Sequence, residues 1–508
     1  VSSKKVFLYF YLVFSFYYEH SQNDVDYIRY ARLDPAGSPR MTAMGSALGA
    51  LGADVSCGAY NPAGTALLSR TDIYYSFGIF FHTNQGIFEN NSATKTSPKI
   101  NFSSFGFGIP YPGKYRNDVR NYLSVSVNQL KNFELQQEIS HPSTLQTMNR
   151  DMLLSIVNNS KNGNISPLYE GLAYNTYLLD FDSVSKKFFS FCDTSIAIPV
   201  KRSIFEKGRM NETTVSFAQS VGDEWYWGIS LGIQNFKFTH ELTHTESDVE
   251  DKMKIYTVNG NSVTTYQNPP PYYYIPLYGF KSFVFQEVYS TEGKGINLKA
   301  GLIYRVNDEV RLGLYVHSPT YFNMSDKYQN TMSTAFDGTT QVLSSSYPEK
   351  GGVFNYEMVT PLRMGGSVGW IVKNQLAIGA DAEWLSYGTG KYTSDDAQQA
   401  LDGVNLVISK KYRNTFNFRT GVEWNAYPLF FRAGYVQSGS PFGNIFDGDN
   451  VKHIPSVGFG FRQKYFYMDF VLSYMYETSK YYPYLYSNVY AKVTNTRVVF
   501  SLSAGFKL

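Results

Sequence analysis

The chain reads as an all-β protein: a transmembrane antiparallel β-barrel of about fourteen strands with an N-terminal plug, or hatch, inside its lumen. Three observations predict this. The first is composition. Aromatic residues make up 17%, with 43 Tyr and 38 Phe, while charged residues make up only 17%, against about 25% in soluble domains. Yet mean hydropathy is −0.27, too polar for a bundle of membrane helices. A barrel reconciles the two, because only alternate residues face lipid and aromatic girdles line both interfaces. The second is the end of the chain, Thr496 to Leu508. Val498, Phe500, Leu502, Ala504, Phe506 and Leu508 are apolar, and the residues between them are mostly small or polar. That is a period-2 strand with one greasy and one wet face. The third is that such runs recur, separated by loops that alternate between short and long, an asymmetry typical of outer-membrane barrels.

Residues 1–21 read as an export signal. Lys4 and Lys5 precede an apolar run, Val6 to Phe16, which is shorter than the roughly 20 residues a spanning helix needs. Cleavage is expected near Ser21. Residues 22–69 are neither signal nor alternating strand. They are rich in Gly and Ala, with short helical pieces around Ser38–Leu51. A segment this short cannot readily bury a core of its own, so the lumen is its expected place.

Residues 70–508 are then the barrel. Arg70–His82, Pro98–Pro110 and Tyr122–Glu134 read as the first three strands. A hairpin follows at Glu212–Ser220 and Trp225–His240. Further pairs run from Gly295–Val306 and Val310–Tyr321 to Ile454–Phe461 and Phe466–Tyr476, joined by two to five polar residues, the usual hairpin signal. Long outer loops are expected near 135–210, 241–293, 322–355 and 388–412, with a helix near Ser143–Asn159. The even strand count places both ends of the barrel on the periplasmic side. Cys57 and Cys192 fit either a disulfide or two unrelated thiols. The seven histidines show no metal-ligand spacing, no basic cluster suggests nucleic acid, and no G-x-S-x-G elbow is present. No cofactor, metal or catalytic residue is expected.

The segment before the first strand resembles a known family, the FadL-type long-chain fatty-acid transporters, which include toluene-type hydrocarbon porins. Gly37-Ser38-Pro39-Arg40 with Met44-Gly45-Ser46-Ala47, then Gly52-Ala53-Asp54-Val55-Ser56 leading to Tyr60-Asn61-Pro62-Ala63-Gly64, are similar to the family's hatch and its NPA motif. Ile296–Arg305, Arg311-Leu312-Gly313, His317–Thr320, Thr360–Arg363 and Phe431–Tyr435 are similar to family strands. In style the chain is nearest the Bacteroidetes-like branch.

The resemblance implies an integral outer-membrane channel that is not an enzyme, and a monomer in outer-membrane lipid. It would take up long-chain fatty acids or other hydrophobic small molecules by passive, hatch-gated diffusion with lateral exit through the wall. The alternative function is an accessory or shuttle barrel of a secretion system. By the same resemblance Asn61, Pro62, Ala63 and Gly64 are the gating element, near an interrupted strand ladder. The family's third strand bends inward; here Tyr122–Glu134 lacks glycine, and a bulge would have to take its place. Met41, Met44, Leu48 and Leu51 can share one helical face and either line a ligand pocket or pack on the wall. Arg363 and Arg432, with Lys299, either hold a carboxylate ligand or pair with lumen acids such as Asp381 and Glu383. Tyr272–Tyr274 and Met152–Ile156 are candidates for a first ligand contact in outer loops.

Overall fold

The computed structural model describes residues 24–112, 119–159, 165–182, 186–253, 256–258, 261–263, 278–337, 340–443, 450–484, 486–487 and 489–508. The expected signal segment, its cleavage point and Tyr272–Tyr274 lie outside the described residues. Strands 1 to 6 are Asp72–Phe88, Asn91–Pro112, Val119–Asn132, Ile198–Val221, Trp225–Ser247 and Tyr278–Arg305. Strand 7 is Val310–His317 continued by Tyr321–Asp337, strand 8 Leu343–Val359 continued by Arg363–Val372, and strand 9 Leu376–Ser386 continued by Lys391–Thr393. Strands 10 to 14 are Asn414–Ala426, Leu429–Ser438, Lys452–Arg462, Phe466–Tyr481 and Ala491–Lys507. Each pairs antiparallel with the next, and strand 1 closes on strand 14 from Asp72 opposite Lys507 to Ile87 opposite Lys492.

The alternation sorts the residues. On strand 1, Ile73, Tyr75, Phe77, Ile79 and Phe81 point outward and are exposed, while Asp72, Tyr74, Ser76 and Gly78 face the lumen. The outward belt continues through Ile229, Leu231 and Ile233 on strand 5, Ile296 and Leu298 on strand 6, and Phe416 and Phe418 on strand 10. Trp225, Trp370, Trp424, Tyr427 and Tyr465 cluster exposed beside the short turns, as one aromatic girdle should.

The wall rises well beyond this belt, so several expected loops are strand. The 322–355 stretch is not a loop. Tyr321–Asp337 and Leu343–Val359 form a hairpin, with Thr331 facing Ser346 and Ser333 facing Ser344 across it. Its outward residues stand in water and are polar, which masks the strand in the sequence. The inward residues Phe322, Met324, Met332 and Phe336 keep the period. For the same reason strand 4 begins at Ile198, strand 5 reaches Ser247 and strand 6 starts at Tyr278, shortening the expected 135–210 and 241–293 loops. The 388–412 region carries a helix, Gln398–Lys411.

The remainder of the 135–210 region caps the outer mouth. A helix spans Met148–Asn159, another Glu170–Asn175, and a small hairpin joins Leu179–Asp182 to Lys187–Ser190. Met148, Met152, Leu172, Leu178 and Cys192 pack with Phe280, Phe283, Phe285 and Met332 of the wall. Strand 5 anchors the cap by accepting the Met148 N–H on the buried Glu246 carboxylate. Cys57 lies in the hatch and Cys192 in the cap, both buried and free.

Residues 24–69 fill the lumen. They form helices Asp24–Ala31 and Pro39–Ala43 and two short 3-10 turns, Val55–Ala59 and Pro62–Leu67. Ser38 caps the second helix by accepting from the Met41 N–H, with Pro39 in its first turn, a favoured pairing of cap and rigid φ. A row of wall glycines seats the hatch. A Cβ at Gly421 would stand 2.1 Å from the Met44 carbonyl oxygen, at Gly379 2.1 Å from that of Ala47, and at Gly434 2.1 Å from the Gly45 nitrogen. No side chain fits there, so glycine is what lets the two backbones approach.

Candidate transport path

Asn61-Pro62-Ala63-Gly64 is buried at the foot of the hatch. The Asn61 amide donates to the Gly49 carbonyl at 2.7 Å and to Leu302 of strand 6 at 3.4 Å, while its Oδ1 accepts from the Ala63 N–H at 3.2 Å. Proline ends one backbone donor and fixes φ, and Asn61 is extended at φ −118°, as a residue before proline tends to be. The motif docks between strands 5 and 6, where Gly228 faces Pro62 and Gly301 faces Asn61. The structure therefore places it beside an unbroken ladder, which runs from Tyr304 opposite Trp225 to Ser282 opposite Ser247, and not beside an interrupted one. The close approach permitted by two glycines decides this, and a ladder gap plays no part.

The lumen cations singled out by the sequence meet acids or carbonyls, as do several others. Arg432 donates to Glu423 at 2.6 Å and to Asp469 at 2.6 Å, and Arg40 of the hatch donates to the same Glu423 at 2.9 Å. Arg419 meets Glu383 at 2.7 Å, and Lys299 meets Glu212. Arg363 donates to the Ala31 carbonyl at 3.0 Å, at the end of the first hatch helix. Asp34 takes Lys452 at 2.7 Å and Arg497 at 2.9 Å. Burial alone would raise the Asp34 carboxyl, but Lys452, Arg497 and Lys131 outweigh it and hold it well below the usual carboxylate range. The sequence names the cations; their partners come from distant strands and could not be read from it.

Met41, Met44, Leu48 and Leu51 pack together with Cys57, against Tyr60, Ile371 and Ala377. They are wall packing, not the lining of an open pocket. Burial, with Asp54 nearby, pushes the Cys57 thiol up. Above them lies a polar cavity of about 50 Å³ bordered by Asp34, Tyr60, Lys299, His317, Arg363 and Glu383, room for a water or two but not for a lipid chain.

The large apolar cluster sits higher. Leu130, Phe133, Met210, Phe236, Phe238, Phe322, Met324, Tyr356, Met358 and Tyr392 form one packed apolar cluster, here called the chamber. The helix Asp24–Ala31 fills it: Tyr30 stacks on Phe236 with ring centres 4.5 Å apart, and Tyr27 meets Tyr392 and Tyr412. The sequence reading missed this chamber. Its signal was the doubled aromatics at period 2, Phe236 and Phe238, together with Tyr27 and Tyr30 three apart on a helix.

The backbone ladder of the wall breaks beside the chamber. Strand 2 pairs with strand 3 only from Pro112 opposite Arg120 to Ser104 opposite Asn128. Beyond that point strand 2 stays with strand 1, while strand 3 follows strand 4. The departure begins at two bulges. One adds a residue to strand 2 opposite Ser76/Phe77, and the other lies between Gln129 and Lys131. The second lies at Leu130, which keeps the inward period of Ser126 and Asn128 and reaches the chamber, and Phe133 follows. A bulge does here what glycine does not. The segment Leu135–Thr144 stays paired with strand 4 and passes behind the first hairpin. Side chains, not a backbone ladder, span the seam: Lys99 meets Glu134 at 3.5 Å, Lys95 meets Glu138 at 3.1 Å, and Asn84 donates to the Gln136 carbonyl at 3.2 Å. Ser76, Ser97, Ser104, Asn128, Gln129 and Gln137 each bury a side-chain polar atom without a hydrogen-bond partner along it. The break lies level with Phe77, Ile79 and Ile100, within the lipid-facing belt.

The family model of outer membrane transport proteins (OMPP1/FadL/TodX) matches residues 215–507. Similar solved structures include a FadL homologue of Pseudomonas aeruginosa, with 13% identity, 93% of this chain and 99% of that chain covered, and a TM-score of 0.53. Another is the toluene transporter TbuX of Ralstonia pickettii, at 14% identity, covering 93% and 98%, with a TM-score of 0.48. The toluene transporter TodX of Pseudomonas putida gives 12%, 92% and 98%, and 0.48. No curated protein sequence matches the chain. Identities this low speak for the fold, whereas the family model spans more than half of the chain. The chain belongs to the OMPP1/FadL/TodX family of outer membrane transport proteins and is an integral outer-membrane β-barrel.

Proposed function

We infer that this protein takes up hydrophobic small molecules, of the class of long-chain fatty acids or aromatic hydrocarbons, by passive diffusion into the aromatic chamber and sideways out through the seam between strands 2 and 3. The observation that carries this reading is the shared border: Leu130 and Phe133, just beyond the point where the strand 2–3 ladder ends, are themselves walls of the chamber. An apolar solute gains about 0.8 kcal/mol per buried CH₂. A watery pore gives it no favourable route, whereas a greasy chamber opening onto the lipid belt does. The helix Asp24–Ala31 occupies the chamber, so the hatch must yield as the solute enters, and Asn61-Pro62-Ala63-Gly64 hold the part that stays seated.

The test pins the seam. Asn91 and Ser140 meet across it with side-chain atoms 3.4 Å apart. The pair Asn91→Cys/Ser140→Cys is expressed in cells lacking the protein, and uptake of labelled oleate and of labelled toluene is measured. Oxidation should abolish uptake and reduction restore it. Unchanged uptake with the crosslink confirmed on a gel refutes lateral exit at this seam.

A further inference from the structure

A second feature lies on the outside of the barrel, just above the lipid-facing belt. On strands 4, 5, 6, 7 and 8 the same height carries Arg209 and Asn211, Asn235 and Lys237, Glu292 and Lys294, Asn323 and Ser325, and Asn355 and Glu357, each set in register with the next. The registers leave all of these outward, while Phe236, Gly293, Met324 and Tyr356 between them face in. Here the wall is concave. Gly293 lets it sink over the Phe236 ring and the Met324 sulfur, where a Cβ would come within 2.2 and 2.8 Å. Thr393, Asp395 and Gln398 overhang one end. The resulting groove encloses about 890 Å³.

The geometry points to the sugar-phosphate headgroup of an outer-leaflet glycolipid as its occupant. Position is the first argument. The groove begins one outward step above Ile233, Ile296 and Tyr321, which form the upper edge of the continuous apolar belt on strands 5, 6 and 7. Acyl chains lying on those residues deliver their headgroup into it. Charge is the second. At its strand 4–7 end lie Arg209, Lys237 and Lys294, with Lys327 one outward step higher on strand 7. Glu292 is the acid among them; it pairs with Lys237 at 2.7 Å and also feels Lys327 and Lys294, while Glu357, Asp395 and Asp396 line the other end of the groove. Arg209, Lys294 and Lys327 have no ion-pair partner among the described residues. Phosphate is the anion that several such cations share, and charge-assisted bonds to it are the strong ones.

Chemistry is the third argument. Asn211, Asn235, Asn323 and Asn355 offer paired donors and acceptors that suit sugar hydroxyls, and the groove is much larger than one phosphate needs. The opposite wall supplies the contrast. At the first two outward steps above the belt, strands 1, 2 and 14 carry Thr83, Gln85, Thr96, Thr94, Thr496 and Thr494, none of them charged. The cluster of cations at the strand 4–7 end of the groove is therefore a local feature and not a general collar.

The test is independent of transport. The purified full-length barrel in detergent is titrated with diphosphoryl lipid A, with its dephosphorylated form, and with phosphatidylglycerol, and bound lipid is counted by native mass spectrometry. Folding is checked by heat-modifiable gel mobility. Diphosphoryl lipid A should bind at least ten-fold more tightly than either comparison lipid. Arg209→Gln/Lys294→Gln should remove that preference, whereas Lys480→Gln/Lys492→Gln, an equal loss of charge on the far wall, should not. Equal binding of all three lipids, or equal effects of the two double variants, overturns the proposal and leaves only a general attraction for anionic lipid.

Discussion

The seat of the hatch can be tested at one atom. A Cβ added at Gly301 would lie 1.8 Å from the Asn61 Oδ1, 2.9 Å from its Cγ and 3.0 Å from the Pro62 Cδ. The strand cannot retreat, because it is laddered on both sides, so in Gly301→Ala the Asn-Pro turn must leave. Overpacking of this kind costs about 1–3 kcal/mol. Asn61 also gives up its bonds to Gly49 and Ala63, at about 0.5–1.5 kcal/mol each. The sum, roughly 2–6 kcal/mol, acts on hatch docking and not on the barrel. At about 4 kcal/mol the unseated population rises by about three orders of magnitude, since each 1.4 kcal/mol is tenfold. Two assays read this. Trypsin should cut at Arg40, which is buried against Glu423 in the seated hatch, and cells should become sensitive to a large hydrophilic antibiotic. Gly366→Ala is the control, as its Cβ would meet only Leu314 at an ordinary 3.7 Å. If both variants protect Arg40 equally and neither leaks, the close-contact reasoning is wrong.

Two further perturbations separate the parts of the path. Asp34→Ala leaves Lys452 and Arg497 facing each other without their shared carboxylate, a loss of about 3–5 kcal/mol for a buried pair, and should free residues 24–36 to protease while Arg40 stays protected. Because the folded Asp34 carboxyl is held below its unfolded value of about 3.9, its contribution is complete above that pH and is lost as pH falls through the folded value. Pepsin cleavage of the first hatch helix should therefore stay low at about pH 5 and rise only well below about pH 4. Tyr30→Ala empties part of the aromatic chamber; truncating a buried aromatic costs about 3–5 kcal/mol, and the space should bind a fluorescent hydrophobic probe several-fold more tightly. No gain in probe binding would show that Tyr30 does not occupy the ligand's place.

Much of the architecture was legible in the chain. Alternation at Thr496–Leu508 and in the hairpins of the second half marks the wall, because lipid on one face and a polar lumen on the other impose opposite demands on neighbouring residues. The helix at Met148–Asn159 was legible within a few residues. Where the wall leaves the membrane, both faces meet polar surroundings or the pattern thins, and strands such as Leu343–Val359 read as loop. The charge pairs were not legible. Glu423 serves Arg40 and Arg432 from positions hundreds of residues apart in one case and nine in the other, and no local rule connects them.

The barrel, the approximate strand number and the presence of a small-residue plug follow from periodicity and composition, which are local and so readable along the chain. Where the plug docks, which strands part and what packs between them come from the packing of distant segments. Asn61 lies at Gly301 because two backbones converge there. The wall splits after Ser104 because bulges on two different strands fall side by side, and the chamber exists because strands 3, 5, 7 and 8 turn their aromatic and methionine side chains to one height. Each of these is a coincidence of register between distant segments, set by closure of the barrel and not by any one stretch of chain.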